Sequence, residues 1–111
     1  MKKTIKTKFK GLLIFVGESH NDKRGYLREL VVEKVVKQRF KFQIISKSKK
    51  NVLRGMHFQF NRPQGKHISV INGKIFDVAI ALRRNSSTFG KVFNHTLSEK
   101  NKESLSRSRS D

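Results

Sequence analysis

Alternation of apolar and polar positions runs through most of the chain, and it predicts short strands joined by turns. Thr4 to Phe9 alternates, with Ile5 among polar neighbours, and Gly11 to Val16 follows as a compact apolar run. Asn21-Asp22-Lys23-Arg24-Gly25 reads as a turn, because Gly25 adopts positive φ without penalty. Tyr26 to Val32 continues as a strand. From Glu33 to Arg39 the cue becomes helical, since Val31, Val32, Val35 and Val36 recur at i, i+4 and i+5. The stretch is short and β-branched, which limits the expectation to one or two helical turns.

Phe40 to Ser46 and Val52 to Phe60 are the next strand candidates, separated by the turn cluster Ser48-Lys49-Lys50-Asn51. The second is interrupted by Gly55. Asn61-Arg62-Pro63-Gln64-Gly65 is a loop holding the only proline. Lys66 to Ile71, the turn Asn72-Gly73, and Lys74 to Leu82 read as a hairpin, because Asn-Gly between alternating runs is the strongest short hairpin cue. Within its second strand, Phe76, Val78, Ile80 and Leu82 share one face and read as core. Ile75, Asp77, Ala79 and Ala81 share the other, where one acid among small residues suits a cavity floor. Lys91 to Leu97 is the last strand candidate. Ser98 to Asp111 carries one large apolar residue, Leu105, and its Ser/Arg ending reads as disordered. Many short strands spaced by turns indicate an all-β sandwich or barrel.

Length and charge narrow this picture. The 111 residues suffice for one domain and not for two. Without cysteine, a disulfide framework, a Cys-ligated zinc and a thiol nucleophile are excluded. Lys2 to Lys10 followed by Gly11 to Val16 imitates the charged and apolar regions of a secretory signal. No small-x-small cleavage site follows, and Glu18, His20 and Asp22 come directly after. A first or edge strand with a basic face is the expectation, and no run is long enough to span a bilayer. The formal charge of +18 suits a polyanion partner. The cations are spread from Lys2 to Arg109, however, so a merely solvated basic surface fits the charge as well.

The four histidines, His20, His57, His67 and His95, show no H-x-H or H-x-x-x-H spacing, so the pattern of a metal site is missing. His57 lies in Leu53-Arg54-Gly55-Met56-His57-Phe58-Gln59. With Arg54 before it and Lys66 past the loop, it suits a base beside cations that hold an anion and keep the imidazole neutral. Strand parity puts Arg54 and His57 on opposite faces. A bulge at Gly55 would bring them together; otherwise only one of the two matters. Asp77 is placed to orient His57 or a cation, or else stands as an exposed acid on an edge strand.

Five segments in order and spacing resemble the dTDP-4-dehydrorhamnose 3,5-epimerase family. They are Asp22-Lys23-Arg24-Gly25-Tyr26 with Glu29, Arg54-Gly55-Met56-His57-Phe58-Gln59, Gln64-Gly65-Lys66, Phe76-Asp77-Val78-Ala79 and Thr88-Phe89-Gly90-Lys91. Phe42-Gln43 and Ser46-Lys47-Ser48 resemble the strand preceding the histidine motif. The resemblance implies a cupin-type jelly roll acting as a cytoplasmic homodimer without metal or other cofactor. It implies an isomerase that epimerises C3 and C5 of dTDP-4-dehydro-6-deoxy-D-glucose on the route to dTDP-L-rhamnose, with neither nucleic acid nor membrane as partner. His57 would be the base, and Arg54 and Lys66 would hold the sugar oxygens or the enolate, with Asp77 in support. Arg24, Glu29 and Gln43 would contact the nucleotide-sugar, the first two from the neighbouring subunit.

The resemblance covers residues 1–105, about three-fifths of such a protein, and leaves 106–111 as an unrelated disordered Ser/Arg tail. It therefore implies a truncated jelly roll, an incomplete barrel lacking the family's general-acid tyrosine and histidine-pairing aspartate, so that protonation on the opposite sugar face loses a catalyst worth about two to four decades in rate. Ile44 and Ile45 stand where the family usually has Asp-Asn, and Ala81 where a second acid is common. A related dTDP-sugar 3,4-ketoisomerase cupin and a small basic nucleic-acid-binding protein are the alternatives.

Overall fold

The computed structural model describes residues 2–55, 65–81, 84–85 and 87–107. These residues are almost all strand, turn or extended segment, in keeping with the all-β expectation. Strands β1 (Lys3–Lys6), β2 (Leu12–Val16), β3 (Ser19–Asp22) and β4 (Gly25–Arg28) precede the single-turn helix α1 (Glu33–Val36). Strands β5 (Lys66–Ser69), β6 (Lys74–Ile80), β7 (Val92–Ser98) and β8 (Glu103–Arg107) follow. The first sheet has the order β1-β2-β8-β5, while β3-β4 and β6-β7 form two-stranded ribbons, all antiparallel.

The core lies between the four-stranded sheet and the β6-β7 ribbon. Alternation in β2 sends Leu12 and Ile14 into it, where they meet Leu105 of β8, Leu97 of β7, Phe9 and Val70. Ile5, Ile68, Ala79, Ala81 and Phe93 pack around them. The opposite face of the sheet is also covered. Phe15, Ser104 and Ser106 are buried there, and the segment around α1 lies over them, with Val36 buried and Gln38 Nε2 donating to Ser106 Oγ at 3.1 Å. The helix stops after one turn, where Lys37 takes a left-handed φ of 63° and its N–H returns to the Glu33 carbonyl.

Four expectations are corrected by this arrangement. First, Asn72-Gly73 does not join a hairpin: β5 pairs with β8 and β6 with β7, so the turn carries the chain from one sheet to the other. Ile68 gains more by lying beside Leu105 in the core than by pairing locally. Second, the faces of β6 are reversed. Phe76 is 66% exposed and Val78 and Ile80 also face out, while Asp77, Ala79 and Ala81 turn in, where small side chains let the sheets approach. Leu82 lies outside the described residues.

Third, Phe40 to Ser46 and Val52 to Gly55 are irregular, and Phe42, Ile44, Ile45 and Leu53 are exposed. Strand propensity needs a neighbouring strand to complete its hydrogen bonds, and these residues have none among those described. The remainder of the second candidate, 56–60, and the loop 61–64 lie outside the described residues. Fourth, the segment after Ser98 is not disordered through Arg107. Glu103–Arg107 is a central strand, and Ser106 and Arg107 belong to it. Its polar positions are satisfied in place, as Ser69 Oγ and Ser104 Oγ lie 2.6 Å apart and Ser106 bonds Gln38. Residues 108–111 lie outside the described residues.

Candidate functional site

Residues on the inner faces of β5, β6, β7 and β8 line the space between the two sheets. Lys66 opens β5 opposite Arg107, and alternation puts both on the side of Ile68 and Leu105, with Lys66 itself exposed at the edge of that face. Asp77 of β6 faces the same interior, directly opposite His95 of β7. Burial pushes the Asp77 carboxyl above the usual carboxylate range, opposed by the positive charge of Arg107 and by His95. His95 is fixed from two sides: its Nε2 lies 2.8 Å from Glu103 Oε1, and its ring stacks on Phe93 at 6.2 Å and 10°. The result is an alternating set of basic and acidic groups beside an apolar floor.

Of the residues that the sequence singles out for a site, Asp77 turns to this space and Lys66 stands exposed at its edge, while His95, Glu103 and Arg107 join them without being so singled out. The signal for His95 was present, since Phe93, His95 and Leu97 alternate onto one face. Glu103 and Arg107 were hidden by the low-complexity composition around them.

Arg54, Gln43, Arg24 and Glu29 lie away from this face. Arg54 is exposed, and its Nε donates to Ser48 Oγ at 2.8 Å. Gln43 is exposed in the irregular segment. Gly55 has open space around its α-carbon. His57, the expected base, lies outside the described residues.

Arg24 and Glu29 belong to the β3-β4 hairpin. Asp22 and Gly25 are register partners that close a two-residue turn, with Gly25 at φ 139°. Arg24 is exposed, and its Nε and Nη2 donate to Asp22 Oδ2 at 3.2 and 2.7 Å. Glu29 Oε1 accepts the Glu18 N–H at 3.1 Å, a bond that holds its carboxyl below the usual range. The hairpin is pinned to the body at its base. Arg28 donates from Nη1 to the Val70 carbonyl at 2.9 Å and from Nη2 to the Glu103 carbonyl at 3.3 Å. Lys102 Nζ reaches Ser19 Oγ at 2.9 Å and sits 5.1 Å from the Tyr26 ring centre. Tyr26 also donates its hydroxyl to Glu99 Oε1 at 3.2 Å. An open depression of about 440 Å³ runs along the hairpin, lined by His20, Asp22, Arg24 and Tyr26 among others.

Among the described residues, no group of three or more His, Cys, Asp or Glu could hold a metal ion, and no helix is long and apolar enough to cross a membrane.

Comparison with known proteins gives one consistent result. The sequence profile of the dTDP-4-dehydrorhamnose 3,5-epimerase family matches residues 6–108. The chain is 43% identical over 103 residues to the dTDP-4-dehydrorhamnose 3,5-epimerase of Methanothermobacter thermautotrophicus, covering 88% of this chain and 56% of the relative. It is 39% identical over 108 residues to that of Shigella flexneri, covering 91% and 60%. A crystal structure of the dTDP-6-deoxy-D-glucose-3,5-epimerase of Legionella pneumophila, in complex with dTDP-4-keto-L-rhamnose, superposes with a TM-score of 0.88 at 35% identity. That match covers 96% of this chain and 60% of the other. The enzyme of Bacillus anthracis, with TDP and PPi bound, superposes with a TM-score of 0.85 at 31% identity, covering 95% and 64%. The two-sheet arrangement is thus that of a cupin-type fold, and the chain spans about three-fifths of the length of these relatives.

Proposed function

The chain belongs to the dTDP-4-dehydrorhamnose 3,5-epimerase family, and from that membership we propose that it serves the isomerase reaction at C3 and C5 of dTDP-4-dehydro-6-deoxy-D-glucose. The carrying observation is the family match over residues 6–108, nearly the whole chain. The inward pairing of Asp77 with His95 and the position of Lys66, exposed at the edge of the neighbouring sheet face, support it.

His57 removes the proton on the carbon next to the C4 ketone. The C–H bonding pair becomes the C=C of an enolate, the ketone oxygen takes the negative charge, and the imidazole holds the proton. Lys66 stabilises the oxyanion, joined by Arg54 when its exposed side chain exchanges Ser48 Oγ for the substrate, and Asp77 keeps the cationic groups in position. Water gives a proton to the opposite face and inverts the centre, and the hydroxide left behind takes up the proton held by the imidazole. Arg24, Glu29 and Gln43 contact the nucleotide, Arg24 and Glu29 from the second subunit of a cytoplasmic homodimer. The reading needs no metal or other cofactor, because cationic groups at the ketone oxygen stabilise the enolate that an imidazole base could not form unaided.

The test is proton NMR of the substrate in heavy water. Deuterium appearing at both C3 and C5 supports the reading, and His57→Ala is expected to slow it by about two to four decades. Exchange at C3 alone would make the chain a 3,4-ketoisomerase. Equal exchange in wild type and His57→Ala would remove His57 as base. No exchange in wild type would refute the activity for the chain as it stands.

A further inference from the structure

The Asp22–Arg24 pair at the tip of the β3-β4 hairpin is too exposed to serve stability. The Arg24 and Asp22 side chains are 91% and 52% accessible, and ion pairs of that kind are largely screened by water. Its geometry is nevertheless specific. Asp22 Oδ1 accepts the Arg24 main-chain N–H at 2.8 Å, so the carboxylate is fixed by its own turn. Asp22 Oδ2 accepts both Nε and Nη2 of Arg24. Those two nitrogens form the lateral edge of the guanidinium. The other edge, the end-on fork of Nη1 and Nη2, keeps its outward N–H groups, which are spaced to match two oxygens of one phosphate.

We propose that Asp22 is a positioning residue: it grips the lateral edge of Arg24 and so presents the end-on fork to a phosphate group of a nucleoside diphosphate. This rests on the reading of Arg24 as a nucleotide contact. A long arginine on an exposed turn otherwise loses rotamer freedom on binding, and the Asp22 bonds remove part of that cost beforehand. Gly25 completes the device, because its φ of 139° lets the chain turn back directly after Arg24.

The sign of the mutational effect separates positioning from simple charge. An acid beside an anion site repels the anion, so on charge alone its removal tightens binding. A positioning acid does the reverse. The measurement is titration calorimetry of the full chain with dTDP at low ionic strength. Arg24→Ala is expected to weaken dTDP about tenfold. Asp22→Ala is expected to weaken it about three- to tenfold, although the protein becomes more positive. Asp22→Asn retains an acceptor for the Arg24 N–H, keeps the turn and falls between. In an Arg24→Ala background, removing Asp22 is expected to leave affinity unchanged or raise it, because there is nothing left to position.

Tighter dTDP binding by Asp22→Ala in the wild-type background, with Arg24→Ala weaker, overturns this inference and leaves the reading of Arg24 intact. No effect of Arg24→Ala on a measurable affinity overturns the nucleotide role of Arg24 and the inference with it. No binding of dTDP by the wild-type chain overturns both this inference and the nucleotide-sugar reading on which it rests.

Discussion

Leu105 lies directly opposite Ile14 in the β2-β8 pair, and both side chains are buried in the core between the sheets. On the other side of β8, Ile68 is its register partner. A residue from a low-complexity stretch therefore occupies a central place in the molecule. Leu105→Ala is expected to cost about 2–5 kcal/mol in unfolding free energy, measured by urea denaturation. A change within experimental error would mean that β8 is not part of the folded sheet.

The hydroxyls of Ser69 and Ser104 share one hydrogen bond in a buried layer, at 2.6 Å. Removing one hydroxyl strands the other, at about 1–3 kcal/mol for an unpaired buried polar group. Replacing both by alanine is expected to cost less than the sum of the single changes. A double-mutant cycle in denaturant decides it, with additive losses refuting the pair.

Gly17 is buried, and a β-carbon there would fall 2.1 Å from the Glu29 carbonyl oxygen. The strand entering the hairpin and the strand leaving it pass that closely because of the missing side chain. Gly17→Ala is expected to destabilise by about 1–3 kcal/mol, the usual range for overpacking, and to loosen the Glu18–Glu29 main-chain bond at 2.8 Å. Thermal melting gives the first effect and hydrogen exchange at the Glu29 amide the second. A wild-type melt would show that the hairpin base has slack.

His67 makes stability depend on pH. It is half-buried between the rings of Phe15 and Phe40, its Nε2 lies 3.1 Å from the Leu30 carbonyl, and its buried Nδ1 has no partner among the described residues. Burial pushes its pKa below 6.5, against the opposing pull of the Leu30 carbonyl. The unfolded chain therefore binds this proton at higher pH than the folded one, and stability falls as pH drops below about 6.5. The loss is complete below the folded pKa. Asp77 works with the opposite sign in a more acidic window. Its pKa is raised from 3.8 by burial, so stability falls as pH rises through that window. Melting temperatures across pH 4 to 8 are expected to flatten at the neutral end in His67→Leu and at the acid end in Asp77→Asn. A His67→Leu profile parallel to wild type would assign the slope to another histidine.

Local patterns in the sequence revealed much of the fold, and pairing partners were where they failed. The apolar run Leu12–Val16 is β2, and the turn at Asp22–Gly25 closes a real hairpin. The valine spacing near residue 35 marks a real helical turn, and Phe93–Leu97 alternates as a strand does. The Asn72-Gly73 cue is equally real as a bend, yet it cannot say which strand will lie beside Ile68. That depends on Leu105, which arrives 37 positions later and carries no local mark of a strand. The face of β6 was misread for a related reason. Phe76 is more apolar than Ala79, but the space between the sheets admits only the smaller side chain there. Of the groups that face the space between the sheets or its edge, Asp77 and Lys66 stand in motifs that the sequence shows. His95, Glu103 and Arg107 meet only through tertiary pairing, which no spacing rule reports.

The Arg28 clamp bears on the order in which the molecule is assembled. Its guanidinium closes on carbonyls at Val70 and Glu103, which lie 42 and 75 positions downstream. During synthesis the hairpin emerges from the ribosome long before either seat exists, so it must wait undocked while β5 and β8 are made. β2 waits with it, one hydrogen-bonding edge open until β8 arrives to fill the sheet. The nascent chain therefore keeps that edge open to its neighbours until Glu103–Arg107 has emerged.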